Sequence, residues 1–255
     1  MSLRIGSVPY LNGRPLMRWF TDTEAGRASG VRVVEAVPSV LAQMLEAGEI
    51  NAALVSSVEL FRVPDLEYVP GCAVIADGAV ESVRLFSRVA VGDIRRVALD
   101  TSSLTSVALL KIILAERYAL LPEYVSRPPD LDVMLRDADA ALLIGDLGYR
   151  DYGDGYVTLD LGAEWKVLTA LPFVYACWIG YRDNLTPELT HLLQTAKGWG
   201  TQNLLRIADA EHAILSETQA RARHYLTDIM RYTMGEREAA ALALFGQKVR
   251  AHNLI

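Results

Sequence analysis

Residues 31–57 read VRVVEAVPSVLAQMLEAGEINAALVSS, which is a strand pattern, a helix pattern and a second strand pattern in direct succession. The run at 31–37 ends at a proline, after which Ser39 is placed to cap a helix that ends at a glycine. A short, continuously apolar run at 52–55 follows and predicts a buried strand. Strand, helix and strand joined by short connections favour a parallel sheet that is covered by helices.

The same alternation continues on both sides of this stretch. Strand patterns at 3–9, 96–99 and 140–144 each lead into a polar or glycine-containing loop. An apolar run at 173–180 is long enough to carry the chain from one lobe to another, and the residues after Thr186 have helical spacing. These patterns predict an α/β protein with more than one sheet.

We therefore predict a two-lobed α/β fold in which each lobe is a mainly parallel sheet flanked by helices. Lobe one is predicted to contain residues 1–85 and 175–255, and lobe two residues 86–174. A cleft between the lobes is expected to hold a small carboxylate substrate without a metal.

The composition excludes several classes of protein. The chain has 255 residues, of which 51% are hydrophobic and 22% charged, as in ordinary globular proteins. Its net charge of −6 includes no basic stretch, which argues against a nucleic-acid partner. The N-terminal segment lacks the features of a secretory signal, and no apolar run approaches the roughly 18 residues of a membrane span. We expect a cytoplasmic protein without a membrane partner.

The two cysteines give no sign of a metal site or a disulfide. Cys72 and Cys177 lie far apart in the sequence and form none of the spacings that bind zinc. Both lie in apolar runs, and we expect them to pack as small hydrophobic side chains.

Polar side chains concentrate in the loops that follow the predicted strands. In open α/β sheets, ligands bind beyond the carboxyl ends of the strands, so these loops are the expected binding site. The candidate binding residues are Tyr10, Asn12, Arg14, Ser56, Ser57, Thr101, Ser102, Ser103, Thr105, Gly145 and Asp146. Ser82, at the start of a strand pattern at 82–87, would join them from the hinge between the lobes.

Residues 100–106, DTSSLTS, are the strongest candidate for binding an anion. Their hydroxyl groups precede a predicted helix, whose first N–H groups and positive dipole end attract negative charge. The alternative is that Ser103 only caps this helix. Arg14 suits a substrate carboxylate, because a guanidinium offers paired N–H donors, but it also suits a surface position. Asp146 would either cap the next helix or contact the ligand.

The usual catalytic sets are missing from the sequence. The histidines fall in the helical last third of the chain, away from the strand-end loops, so no Ser-His-Asp or Cys-His set is indicated. They are His191, His212, His224 and His252. The glycine-containing segments match neither a dinucleotide fingerprint nor a nucleotide-binding loop, so no such cofactor is expected.

Short motifs follow one another in a distinctive order. They are RIGSVPYLN at 4–12, VPS at 37–39, ALVSS at 53–57, SVRLFS at 82–87, ALDTSSLTS at 98–106 and IGD at 144–146. In this order they closely resemble the chorismate dehydratase family of menaquinone biosynthesis. The resemblance extends from residue 4 to about residue 180.

The resemblance implies a type II periplasmic-binding-protein-like fold used as an enzyme. It implies a carbon-oxygen lyase that converts chorismate to 3-[(1-carboxyvinyl)oxy]benzoate and water in the futalosine pathway, without a cofactor. Asn12 and Ser82 match the catalytic positions of the family, and the serine and threonine loops match its substrate-binding segments. No strong protein base is among them, because an amide does not accept a proton usefully at neutral pH. We therefore hypothesise that the enolpyruvyl carboxylate of the substrate takes the proton.

Two alternatives remain at this point. The first is 1,4-dihydroxy-6-naphthoate synthase, a sister enzyme on the same fold, for which we expect a histidine near the cleft. The second is a non-catalytic binding protein for a small anion. The sequence permits a monomer or a homodimer.

Overall fold

The structure is a computed structural model that describes residues 3–100, 102, 104–215 and 218–255. Its chain divides into two compact units, Met1–Ile75 with Val174–Ala239 and Ala76–Phe173 with Ala240–Ile255. We call them unit one and unit two.

The strands and helices alternate over most of the chain. The strands are β1 (Arg4–Ser7), β2 (Arg32–Glu35), β3 (Ala52–Ser56), β4 (Leu66–Ala76), β5 (Val83–Ser87), β6 (Arg96–Asp100), β7 (Glu123–Arg127), β8 (Ala140–Ile144), β9 (Val157–Asp160), β10 (Phe173–Tyr181) and β11 (Met230–Arg231). The α-helices are α1 (Arg14–Asp22), α2 (Glu24–Ala28), α3 (Pro38–Glu46), α4 (Glu59–Arg62), α5 (Leu104–Tyr118), α6 (Leu131–Met134), α7 (Gly145–Tyr149), α8 (Leu161–Thr169), α9 (Pro187–Gln202), α10 (Leu204–Glu211), α11 (Gln219–His224) and α12 (Glu236–Ala251). Short 3-10 helices lie at Leu11–Gly13, Val91–Asp93, Arg182–Asn184 and His212–Leu215, and a π-helix lies at Tyr225–Ile229.

Unit one is built on a sheet with the strand order β11-β4-β10-β3-β1-β2. β1 is parallel to β2 and β3, whereas β10 is antiparallel to β3. Every residue of β3 is buried, as its apolar sequence predicts. α3 packs closely on β1, since a Cβ on Gly6 would lie 2.6 Å from Leu41 Cδ2. The helix begins at Pro38, with Val37 as its N-cap, so the predicted cap at Ser39 is wrong.

Unit two is built on a second sheet, with the strand order β7-β6-β8-β5-β9. β6 is parallel to β7 and β8, and β5 is antiparallel to β8 and β9. Both sheets are therefore mixed, which corrects the prediction of mainly parallel sheets. β10 runs antiparallel to β3, and β5 runs antiparallel to β8 and β9. The apolar pattern within a strand does not indicate this direction.

The observed units differ from the predicted lobes in two stretches and at residue 174, which was predicted in lobe two and belongs to unit one. Residues 76–85, predicted in lobe one, belong to unit two, because β5 pairs along its length with β8 and β9. Residues 240–255 also belong to unit two. The ring of Phe245 in α12 packs edge-on against Trp165 and Phe173, with centroids 6.1 and 5.0 Å away. Aromatic packing therefore places the end of the chain in unit two.

Cys72 and Cys177 are buried in unit one, as predicted. Burial raises the pKa of the Cys72 thiol to about 11, and it raises the pKa of Cys177 further above the ordinary value. At pH 8 only roughly one Cys72 side chain in a thousand would be a thiolate, the reactive form. We expect no reaction of the native protein with a thiol reagent at pH 8 and reaction of both cysteines in denaturant. Rapid labelling before unfolding would contradict this.

Candidate active site

The first set of predicted residues lies at one edge of the unit-one sheet. β1 and β3 are parallel neighbours, so the residues that follow them emerge at the same edge. Tyr10, Asn12 and Arg14 follow β1, and Ser56 and Ser57 end β3 or follow it. The loop after β1 packs onto β3, since a Cβ on Gly13 would lie 3.3 Å from Leu54 Cδ2. The predicted strand-end cluster is present in this unit.

Asn12 lies on the 3-10 helix Leu11–Gly13 and is half-buried. Its amide nitrogen donates a hydrogen bond to the hydroxyl of Tyr225, at 3.3 Å. Tyr225 is 2% exposed and begins the π-helix Tyr225–Ile229. π-helices are rare and often lie at functional sites. The orientation of the Asn12 amide is therefore set by a rigid side chain from the last part of the chain.

Arg14 is buried and contacts protein carboxylates. Its guanidinium donates to Glu35 Oε1 at 2.5 Å and to the Pro9 carbonyl oxygen at 3.2 Å. Its Nε lies 3.4 Å from Glu211 Oε2, and Glu211 is also paired with Arg18. The contacts shown here hold the loop after β1 in place. The predicted contact of Arg14 with a substrate carboxylate stays a prediction.

Ser57 connects the end of β3 to β10. Its hydroxyl donates to the Val174 carbonyl oxygen at 2.7 Å, and its backbone N–H donates to the Tyr175 carbonyl oxygen at 3.1 Å. Ser56 is buried beside it and is paired with Ala176 of β10. Ser57 thus has a structural role, and substrate contacts of both serines stay predictions.

The second set of predicted residues lies at one edge of the unit-two sheet. β6 and β8 are parallel neighbours, so their carboxyl ends emerge together. β5 is antiparallel to β8 and pairs Val83 with Ile144, so Ser82 lies next to the start of α7. The structure thus brings Ser82 to the edge where Gly145 and Asp146 lie.

The loop after β6 is partly described. Thr101 and Ser103 lie outside the described residues, so the question of whether Ser103 caps α5 stays open. The backbone N–H and the hydroxyl of Ser102 both donate to Asp100 Oδ1, at 2.9 and 2.5 Å. Thr105 is buried in the first turn of α5. Asp100 therefore shapes the turn that precedes the helix.

Gly145 and Asp146 begin α7 directly after β8. Gly145 has φ +58°, a conformation that favours glycine. Ile144 is the N-cap of α7 and Asp146 lies in its first turn, so Asp146 does not have the predicted capping role. Its carboxylate complements the positive end of the helix, and contact with a ligand stays a prediction.

One histidine begins an element that adjoins a strand-end loop. The 3-10 helix His212–Leu215 lies beside the 3-10 helix Leu11–Gly13. The Nδ1 of His212 lies 3.1 Å from the Asp209 carbonyl oxygen. His224 instead pairs with Asp228, and His252 with Glu116.

Two residues that contact these loops were not predicted from the sequence. Tyr225 orients Asn12, and the carboxylate of Asp160 binds the backbone just before Ser82. Asp160 does carry a sequence signal, since aspartate before LGAEW is typical of a helix N-cap. Nothing in the local sequence marks Tyr225.

Two features are absent from the part of the chain that the structure describes. In that part, no group of three or more His, Cys, Asp and Glu side chains is arranged to hold a metal ion. None of the helices described is both long enough and apolar enough to cross a membrane.

Solved structures with the same fold include binding proteins. A protein of Archaeoglobus fulgidus superimposes with a TM-score of 0.78 at 21% identity, over 99% of this chain and 98% of its own. The periplasmic aliphatic sulphonate binding protein of Escherichia coli gives 0.67 at 17%, over 99% of this chain and 88% of its own. A Candida albicans protein described as having the generic periplasmic binding protein fold gives 0.63 at 11%, over 100% and 95%. The periplasmic-binding-protein-like fold is confirmed.

Sequence comparison identifies the family. The family described as menaquinone biosynthesis matches residues 3–251. The chorismate dehydratase of Thermus thermophilus is 35% identical over 262 residues, which cover 95% of this chain and 93% of that protein. The chain therefore belongs to the menaquinone-biosynthesis family of enzymes.

Proposed function

We propose that this protein is a chorismate dehydratase, which removes water from chorismate to give 3-[(1-carboxyvinyl)oxy]benzoate in the futalosine pathway. The observation that carries the proposal is the 35% identity to a chorismate dehydratase over 95% of the chain. Asn12 and Ser82, the proposed catalytic residues, each lie at a sheet edge of the kind at which ligands bind in open α/β folds, which supports the proposal.

The proposed reaction is an elimination. The ring carbon that carries the enolpyruvyl ether loses a proton, and the neighbouring carbon loses its hydroxyl group, which leaves as water. The electron pair released first is conjugated through the diene to the ring carboxylate, and aromatisation drives the reaction. The polar groups at the two sheet edges suit this developing charge, and one fixed donor of this kind lowers a barrier by about 3–4 kcal/mol.

The proposed base is the enolpyruvyl carboxylate of chorismate itself. Asn12 and Ser82 would hold the substrate in the conformation in which this carboxylate reaches the proton. The bond from Asn12 to Tyr225 supports this role, because it gives the amide one preferred orientation. Fixing reactive groups in this way removes much of the entropy cost of the step.

A turnover assay with purified protein tests the proposal. Chorismate without added metal or cofactor should give an aromatic product that has lost one molecule of water, followed by absorbance and mass spectrometry. Saturable binding of chorismate without turnover would favour the non-catalytic binding protein. Turnover of only the cyclic futalosine derivative would favour 1,4-dihydroxy-6-naphthoate synthase.

His212 gives a second, independent check, because it lies on a helix beside the Asn12 loop. If the substrate supplies the base, His212→Gln should keep kcat on chorismate within about threefold of the wild-type value. A loss of about 100-fold or more in a folded variant would make His212 the base and contradict the substrate-assisted step.

We also propose the setting in which the enzyme acts. It would work in the cytoplasm as a monomer or homodimer, with chorismate as its small-molecule partner and without metal, cofactor, nucleic acid or membrane. The net charge of −6 is consistent with the absence of a nucleic-acid partner.

A further inference from the structure

The carboxylate of Asp160 joins three segments of unit two. Asp160 is the last residue of β9 and the N-cap of α8, where its Oδ1 accepts a hydrogen bond from the Ala163 N–H at 3.0 Å. The Val80 N–H donates to Oδ1 and Oδ2 at 3.0 and 3.1 Å. The Glu81 N–H donates to Oδ2 at 2.7 Å. Both oxygens of the carboxylate are therefore used.

The backbone that Asp160 binds has an unusual conformation. Glu81 has φ +60°, in the left-handed region that residues with a Cβ rarely adopt. Such a conformation persists only where the surrounding structure enforces it. The two consecutive N–H groups bound by Asp160 belong to this residue and to the one before it. Asp160 thus holds the turn in its strained form.

This turn leads directly into Ser82. Ser82 is 2% exposed and immediately precedes β5. Its carbonyl group is packed so closely against Gly148 that a Cβ there would overlap the Ser82 carbonyl oxygen. The backbone of Ser82 is therefore fixed on one side by Gly148 and on the other by the turn that Asp160 holds.

Helix capping alone does not explain these contacts. An N-cap needs one acceptor, which serine, threonine or asparagine supplies equally well. Asp130 caps α6 in this simpler way, through the Val133 N–H at 3.0 Å. At Asp160 two further donors, the N–H groups of Val80 and Glu81, lie about 80 residues away in the sequence. They bond to both side-chain oxygens, and only a carboxylate provides two acceptor oxygens.

We propose that Asp160 is a positioning residue, which fixes the strained turn at Val80 and Glu81 and thereby places Ser82 for the reaction. The proposal rests on the proposed function only for the role of Ser82. Asp160 itself does not touch the reacting atoms in this scheme.

Asp160→Asn is the variant that tests the proposal. Asparagine still caps α8 through its oxygen, but its NH₂ group faces the Glu81 N–H in place of an acceptor. We expect kcat on chorismate to fall about 10- to 100-fold, as displaced catalytic groups do, with KM within about threefold. Asp130→Asn is the matched control and should keep kcat within about twofold, because it changes a cap alone.

A double-mutant cycle with Ser82→Ala distinguishes a positioning role of Asp160 from a general loss of activity that does not involve Ser82. If Asp160 acts through Ser82, Asp160→Asn should cost no more than about twofold further in the Ser82→Ala background. Full additivity of the two losses would overturn the proposal. If Asp160→Asn does not fold, Asp160→Ser, which retains a good N-cap, is measured in the same cycle.

Hydrogen exchange makes the proposal independent of the substrate. In Asp160→Asn we expect the amide of Glu81 to exchange at least about tenfold faster than in Asp130→Asn, because its acceptor Oδ2 is replaced by an NH₂ group. Unchanged exchange would overturn the proposal even if chorismate is turned over. Absence of wild-type turnover would overturn the proposed function, while faster exchange would still support the structural role of Asp160.

Discussion

Asn12→Asp will lower kcat on chorismate by about 100-fold or more, if the Asn12 amide orients the substrate. The two side chains have nearly the same shape, so the change replaces a neutral N–H donor by an anionic oxygen. The variant loses the donor to the Tyr225 hydroxyl. It also places negative charge beside a dianionic substrate whose carboxylates must be held, not repelled. Steady-state kcat and KM measured against the wild type check this.

The control for the added charge is Asn184→Asp, which makes the same chemical change on the 3-10 helix Arg182–Asn184. It should keep kcat within about twofold of the wild-type value. The kcat of Asn12→Ala should fall together with that of Asn12→Asp, because both variants lack the amide donor. Near-normal turnover by Asn12→Asp would contradict the orienting role of the amide and would make a protein carboxylate at this position a competent base.

The sequence predicted the elements of the site well because they depend on local patterns. The apolar run at 52–55 forms β3, and the described polar residues after β1, β3, β6 and β8 emerge at sheet edges. Strand periodicity and the rule for open sheets suffice for such predictions, since both act over a few residues.

The features that the sequence did not predict depend on contacts between residues far apart in the chain, and not on local patterns. The placement of α12 depends on the packing of Phe245 against Trp165 and Phe173, which no local pattern reveals. The contacts of Arg14 with Glu35 and Glu211 also join distant segments, and the sequence did not predict them. Whether Arg14 also contacts a substrate carboxylate stays a prediction.

The contacts that orient the proposed catalytic residues belong to the same class. Asn12 is bonded to Tyr225, and Ser82 follows a turn that is bonded to Asp160. In both cases the residue that supplies the orienting hydrogen bond comes from a segment far away in the sequence. Sequence motifs therefore identified the residues proposed to hold the substrate, while the structure was needed to find the side chains that position those residues.

Gly200→Ala will destabilise unit one by about 3 kcal/mol or more, which is a large effect for one methyl group. Gly200 is buried in α9, where α9 packs against α1. A Cβ at this position would overlap the carbonyl oxygen of Pro15, and backbone cannot move aside as a flexible side chain can. The helices must separate, and α1 begins at Arg14, directly after the Asn12 loop. Thermal unfolding should show a melting temperature lower by about 6 °C or more.

Gly198→Ala is the matched control in the same helix. A Cβ on Gly198 would meet nothing within 4 Å, so the substitution adds helix propensity without a clash. It should stabilise the protein by up to about 1 kcal/mol, the difference between glycine and alanine inside a helix. Opposite signs at positions 198 and 200 would show that the close approach of α9 to Pro15 is a real constraint. Equal, small effects at both would mean that α1 and α9 are further apart than the structure places them, and the Asn12 loop would then lack its support.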